Sequence, residues 1–221
     1  MEALSKKLDH VFTDEALLRT ALTHSSYANE HHCESNERLE FVGDSVLGMV
    51  VADRLYRRFP GLSEGRMTRL RAELVCERSL FEVASGLGLG GHLLLGRGEE
   101  TSGGRSRHSI LADCVEAVIA AIYLDGGLER ARSFIDAHIL SKLSDADGAS
   151  HDYKTELQER IQQTPGRAVS YELAGESGPD HAKRFTAAVL IGGRRAGSGE
   201  GRSKKEAEQM AAKAALEDLG R

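Results

Sequence analysis

The sequence predicts an α+β chain in two parts, an all-α domain followed by a small α-β-β-β-α domain. Three observations predict it. Apolar residues recur at spacings of three and four through most of the chain up to Leu143, the period of helices with one buried face. A polar run, SDADGASH at 144–151, then interrupts the pattern. Beyond it, short apolar runs alternate with Gly-rich or Pro-containing turns, the signature of hairpin strands.

In order along the chain, helical patterns cover Asp14–Ser25, Ser35–Phe59, Ser63–Ser85, Ser109–Leu124 and Leu128–Leu143. The interruption Gly86–Ser106 carries eight glycines. It lacks the G-K-[ST] of a phosphate-cradling loop, so a mobile connection between helices is expected there. After the polar run, Lys154–Gln163 is helical, VSYELA (169–174), FTAAVLI (185–191) and RRAGSGEG (194–201) have strand character, and Ser203–Leu219 closes the chain as a helix. S-K-K-E at 203–206 fits a capping box. The boundaries expected are 1–147 for the all-α domain, 148–152 for a linker and 153–221 for the second domain. No internal repeat is evident.

Composition narrows the function classes. The chain has 221 residues, 40% hydrophobic and 29% charged, enough for one large domain or two smaller ones. No stretch approaches the roughly 20 apolar residues of a membrane span, and MEALSKKLDHVF lacks the apolar core of a secretory signal. A cytoplasmic address is expected, with no membrane partner. Cys33, Cys76 and Cys114 are odd in number, widely spaced and without a C-x-x-C pair. Disulfides and structural zinc are therefore disfavoured, and the three read as reduced, mostly buried packing residues. With no Trp, five Tyr and six Phe, the chain is poor in the stacking platforms that single-strand readers use. The net charge of −5 is unevenly shared: residues 1–150 hold 17 Lys+Arg against 23 Asp+Glu, residues 151–221 hold 12 against 11.

The acid excess has a focus. In NERLEFVGDSVL (36–47), Glu37, Glu40 and Asp44 fall at i, i+3 and i+7, so a helix would set all three carboxylates on one face. Like charges at those spacings repel, and only Arg38 lies beside the row. Asp113 and Glu116 form a second pair, at i, i+3 on a helix otherwise almost wholly apolar from Ile110 to Leu124. Buried carboxylates must be paired, protonated or metal-bound. Salt bridges to Arg66, Arg69 and Arg71 are one reading. Carboxylates from two facing helices forming a hard oxygen site for Mg²⁺, with Mn²⁺ able to substitute, is the better one. The histidines offer no competing site: His31 and His32 lie in a polar stretch, and His24, His92, His108 and His138 lack ligand spacing.

The chain resembles the ribonuclease III family in NERLEFVGDSVL, SEGRMTRLRAELV (63–75), LGRGEETSGG (95–104) and SILADCVEAVIAAIYLDGG (109–127). The resemblance implies that Glu40, Asp44, Asp113 and Glu116 are the metal ligands, with Asp44 and Glu116 the catalytic pair. Glu37 and Glu64 would be supporting acids at the cleavage valley. It also implies a homodimer with Phe41 at its interface, no organic cofactor, and a Mg²⁺-dependent endoribonuclease of double-stranded RNA. Its products would carry 5′-phosphate and 3′-hydroxyl ends with a short 3′ overhang, in the processing of ribosomal and other structured RNA. Cys114, and Ala120 where a glycine is common, depart from the pattern without touching a carboxylate.

Residues 154–220 resemble the double-stranded RNA-binding domain in KTELQERIQ (154–162), GPDHAKRF (178–185) and GRSKKEAEQMAAKAAL (201–216). The resemblance implies that Thr155, Gln158 and Glu159 face one minor groove and Pro179, Asp180 and His181 the next. Ser203, Lys204 and Lys205 would meet phosphates at a helix start, where free N–H groups favour an anion. Two other readings use the same residues: a non-cleaving duplex binder, and a metal phosphohydrolase of small molecules. The first would be free to lose Asp44 or Glu116; the second leaves the carboxy-terminal domain unexplained.

Overall fold

The computed structural model of the chain describes residues 2–144, 153–162, 168–179 and 183–219. They fall into two compact units, Met1–Gly148 and Ala149–Arg221. The expected linker at 148–152 lies outside the described residues.

The first unit is helical: α1 (Glu2–Lys7), α2 (Glu15–Ala21), α3 (Ser25–His31), α4 (Glu37–Arg58), α5 (Glu64–Val75), α6 (Glu77–Leu87), α7 (Arg97–Thr101), α8 (His108–Gly126) and α9 (Leu128–His138). Single 3₁₀ turns lie at Leu89–Gly91, Gly104–Ser106 and Leu140–Lys142. The nearly all-apolar α8 is the central rod, packed on α4, α6, α9 and α2. Cys114, Val115 and the run from Ala117 to Ala121 have no exposed surface, so α8 is apolar all round because it is covered all round. Its far end is fixed by Asp125, which accepts the Asp14 and Thr13 N–H groups and pairs with His10 Nε2 at 2.8 Å. Ion pairs Asp53–Arg132 and Arg54–Asp136 tie α4 to α9.

Three expectations change. The helix expected over Ser63–Ser85 is broken at Cys76, whose φ −69° and ψ 156° are extended. The buried positions explain the break: after Leu70 and Leu74, a continuous helix would turn Glu77 and Arg78 inward, and restarting at Glu77 brings Leu80, Val83, Ala84 and Leu87 to the core instead. The glycine-rich stretch is packed. Leu89, Leu93 and Leu95 are buried, and the Arg105 guanidinium donates to Gly90 O and Leu93 O at 2.9 Å each while gripping both oxygens of Glu100. Of the cysteines only Cys114 is buried; Cys33 and Cys76 are exposed, and all three are free.

The second unit runs α10 (Tyr153–Gln162), β1 (Val169–Ser177), β2 (Arg184–Ile191), β3 (Arg194–Gly201), α11 (Lys204–Leu219). The sheet is antiparallel in the order β1-β2-β3. Gly192 and Gly193, at φ 58° and 78°, make the two-residue turn between β2 and β3, where both positions need the left-handed region. Leu157, Ile161, Val189, Ala207, Ala211 and Ala215 form the core between sheet and helices. Helix α11 rides so close to β3 that a Cβ at Gly199 would stand 2.3 Å from Ala211 N. Ser203 Oγ accepts the Glu206 N–H at 3.2 Å, and the Glu206 carboxylate accepts the Arg202 N–H at 2.7 Å. The expected capping box thus closes one residue upstream.

Candidate functional site

The acid-rich start of α4 is held by the turn before it. Asn36, buried at the helix start, donates its N–H to Thr23 O, and its carbonyl accepts the Glu40 N–H. Leu39, Gly43, Val46 and Leu47 then face the core, which leaves Glu40 half-buried at the edge of the packed surface and Glu37 and Asp44 exposed beside it. Across from them α8 offers Asp113 and Glu116 from a face that is otherwise apolar.

The two helices meet closely at a position for which no role was expected. A Cβ on Gly43 would lie 1.8 Å from the Glu116 carbonyl oxygen, a distance no side chain tolerates. Gly43 therefore lets α4 lie against the backbone of Glu116, and it stands one residue from Asp44 and three from Glu40. The close approach brings together carboxylate oxygens of Glu40, Asp113 and Glu116, all within 4.8 Å of one another. Asp44 is not in that trio; its charge nevertheless bears on both Glu116 and Glu40.

The electrostatics are those of an uncompensated site. Burial, then the charges of Asp44, Glu40 and Asp113, pushes the Glu116 carboxyl up to about 8. Burial and then Asp113, Glu37 and Asp44 raise Glu40. Asp113 is raised by burial and Glu77, with His24 opposing. Among the described residues, no arginine or lysine forms an ion pair with Glu40, Asp44, Asp113 or Glu116. The alternative in which Arg66, Arg69 and Arg71 neutralise them finds no such pair. Three like-charged carboxyls so close hold protons or a cation, and an all-oxygen set fits a hard divalent ion.

The flanking acids are more loosely placed. Glu37 accepts from Ser35 Oγ at 2.8 Å, and Glu64 accepts from Thr68 Oγ1 at 2.9 Å; both are exposed. Glu77 and His24 were not expected here. The break at Cys76 moves Glu77 to the start of α6 and so toward Asp113. His24 caps α3, its Nδ1 accepting the Ser26 N–H at 3.2 Å. A helical reading through Ser63–Ser85 hid the first, and His24 carried no spacing signal at all. Phe41 projects from α4 with 76% of its surface exposed.

In the second unit, Thr155, Gln158 and Glu159 lie at i, i+3 and i+4 on α10, beside the inward face of Leu157 and Ile161. Pro179 is exposed two residues beyond the end of β1; Asp180 and His181 lie outside the described residues. Ser203, Lys204 and Lys205 are exposed at the start of α11.

Comparison with known proteins joins the two units. A family model described as Ribonuclease-III-like matches residues 14–143, and one described as double-stranded RNA binding motif matches residues 153–219. The "Ribonuclease 3" of Symbiobacterium thermophilum is 52% identical over 216 residues, 96% of this chain and 91% of that protein. That of Listeria monocytogenes is 44% identical over 222 residues, covering 99% and 97%. A solved nuclease domain of ribonuclease III from Campylobacter jejuni, noted for structural flexibility in a region involved in dimer formation, superposes with a TM-score of 0.61 at 41% identity. It covers 64% of this chain and 97% of its own. Among the described residues, no helix is long and apolar enough to cross a membrane.

Proposed function

The chain belongs to the ribonuclease III family, and on that premise we propose how its residues divide the work of a double-stranded-RNA endoribonuclease. The observation that carries the reading is the trio of Glu40, Asp113 and Glu116 within 4.8 Å, drawn from two helices and unmatched by any described cation. A divalent metal belongs to such a domain; Mg²⁺ is the ion we assign, with Mn²⁺ substituting, held by these three acids and Asp44. Such an ion supplies an activated water and neutralises charge at the attacked phosphate. Asp44, exposed and one residue from the helix contact, reaches toward substrate, while the half-buried Glu116 anchors the set. Glu37 and Glu64 line the approach.

The second unit holds the duplex by shape. Thr155, Gln158 and Glu159 on α10 and the residues Pro179, Asp180 and His181 are assigned to successive minor grooves, and Ser203, Lys204 and Lys205 to phosphates between them. The first unit pairs with a second copy. Phe41, Met49 and Tyr56, exposed by 76%, 45% and 71%, lie along one face of α4, an apolar stripe suited to a two-fold contact. The products we expect bear 5′-phosphate and 3′-hydroxyl ends with a short 3′ overhang, from ribosomal and other structured RNA in the cytoplasm.

The test is one incubation of purified protein with long duplex RNA, with and without Mg²⁺. Short duplex fragments only with the metal support the reading. A shift in mobility without cleavage at any Mg²⁺ or Mn²⁺ concentration would favour a non-cleaving binder.

A further inference from the structure

The lysines of the second unit differ in their partners. Lys204 and Lys205 are exposed at the start of α11 and bonded to no carboxylate among the described contacts. Lys154 is different. Its Nζ stands 4.3 Å from the centroid of the Tyr171 ring on β1 and bonds the Glu208 carboxylate on α11, both side chains of that pair being about one third exposed at 32% and 31%. Its backbone N–H donates to Gln209 Oε1 at 3.2 Å. One residue thus ties the first turn of α10 to β1 and to α11, and Arg160 Nη2 closes the other end of α10 on Leu219 O at 3.3 Å.

Helical spacing says what this anchor controls. Lys154, Leu157 and Ile161 are at i, i+3 and i+7, so Lys154 continues the inward face of α10. Thr155, Gln158 and Glu159 occupy the neighbouring face. Rotation of α10 about its axis would carry those three away from any groove they read, and Lys154 opposes that rotation at the first turn together with Tyr153, which packs against the core beside it. A lysine whose ammonium already has a carboxylate and an aromatic ring gains little by exchanging them for a phosphate.

We propose that Lys154, clamped between Tyr171 and Glu208, is a positioning residue that sets the rotation of α10 for duplex recognition and makes no phosphate contact itself. The proposal rests on the reading of α10 as a groove-facing helix. Lys154→Met should weaken duplex binding by the full chain, in the absence of divalent metal, at least fivefold at fixed salt. The slope of log K against log salt should stay unchanged, and Lys154→Arg should restore most of the affinity. Glu208→Gln gives the sharper readout. It removes a negative charge, so a purely electrostatic role predicts tighter binding to RNA, whereas a clamp predicts weaker binding. It also serves where Lys154→Met fails to fold. In a double-mutant cycle the two losses should not add.

Unchanged affinity in Lys154→Met, a slope flattened by one phosphate contact, or tighter binding in Glu208→Gln would overturn the proposal. Gln158→Ala separates it from its premise. If that variant binds as wild type, the groove-facing reading of α10 fails and the proposal falls with it. If it weakens binding while Lys154→Met and Glu208→Gln do not, the reading stands and the positioning role is wrong.

Discussion

Glu116 is the residue at which folding and function pull in opposite directions. Its carboxyl is pushed from 4.5 in an ordinary environment up to about 8, so between those values the folded chain holds a proton that the unfolded chain has lost. The sign follows: without metal, stability falls as pH rises through that window, and Glu40 and Asp113, both raised, act in the same direction. From pH 7 to 8.5 the effect is free of His138, which burial holds below its ordinary 6.5. In a chelator, the melting temperature should therefore drop over that range, and Glu116→Gln should reduce the drop. A melting temperature that climbs with pH there contradicts the uncompensated cluster. A divalent ion must displace the same proton, so its apparent affinity should rise by up to about tenfold per pH unit below the Glu116 pKa of about 8.

At the scale of elements, the site depends on how closely α4 meets α8, and Gly43 sets that distance. Gly43→Ala would drive a methyl into the Glu116 carbonyl, where relief requires the helices to part; overpacking of this kind costs roughly 1 to 3 kcal/mol. The carboxylates would separate with the helices. Calorimetric titration with Mn²⁺ should show at least a tenfold loss of affinity in a protein that is still helical, and wild-type metal binding would mean that the contact does not govern the site. At the start of α11, Lys204 and Lys205 are assigned to phosphates. Replacing both by Ala should weaken all duplexes alike and flatten the log K against log salt slope by about 0.7 to 0.9 per contact. An unchanged slope returns them to the solvated surface. These two elements also mark how far the sequence could be read. The strands over 185–191 and 194–201 and the carboxylate face of α4 were legible because periodicity reports which face is buried. The break at Cys76 and the packing of 86–106 were not, because they depend on partners distant in sequence: the shared core that rejects Glu77 and Arg78, and Leu22, Ser26 and Glu30, which accept the N–H groups of Leu94, Gly96 and Arg97. Gly43 offered only the faint signal of a glycine inside an apolar helix pattern.

At the scale of the whole molecule, each unit has its own core, and on the proposed reading the first cuts and the second holds. The first has its acids on α4 and α8; the second has the residues proposed for grooves and phosphates on α10, at positions 179–181 and at the start of α11. Asp44 is the demanding case, since it stands outside the trio within 4.8 Å and is assigned a role through its charge and its position beside Gly43. Family likeness could be read from the sequence because its motifs are local, but the separation of Asp44 from the trio could not, since it arises from the pitch of one helix against another. The decisive measurement is made on Asp44→Asn and Glu116→Gln in parallel, recording duplex affinity in a chelator and cleavage rate in saturating Mg²⁺ on the same RNA. The expected result is affinity within about twofold of wild type for both, with cleavage lost by several orders of magnitude, as removal of metal-held charge at the phosphate requires. Cleavage by either variant at near the wild-type rate would remove that residue from the site, and loss of binding in step with cutting would contradict the division between the units.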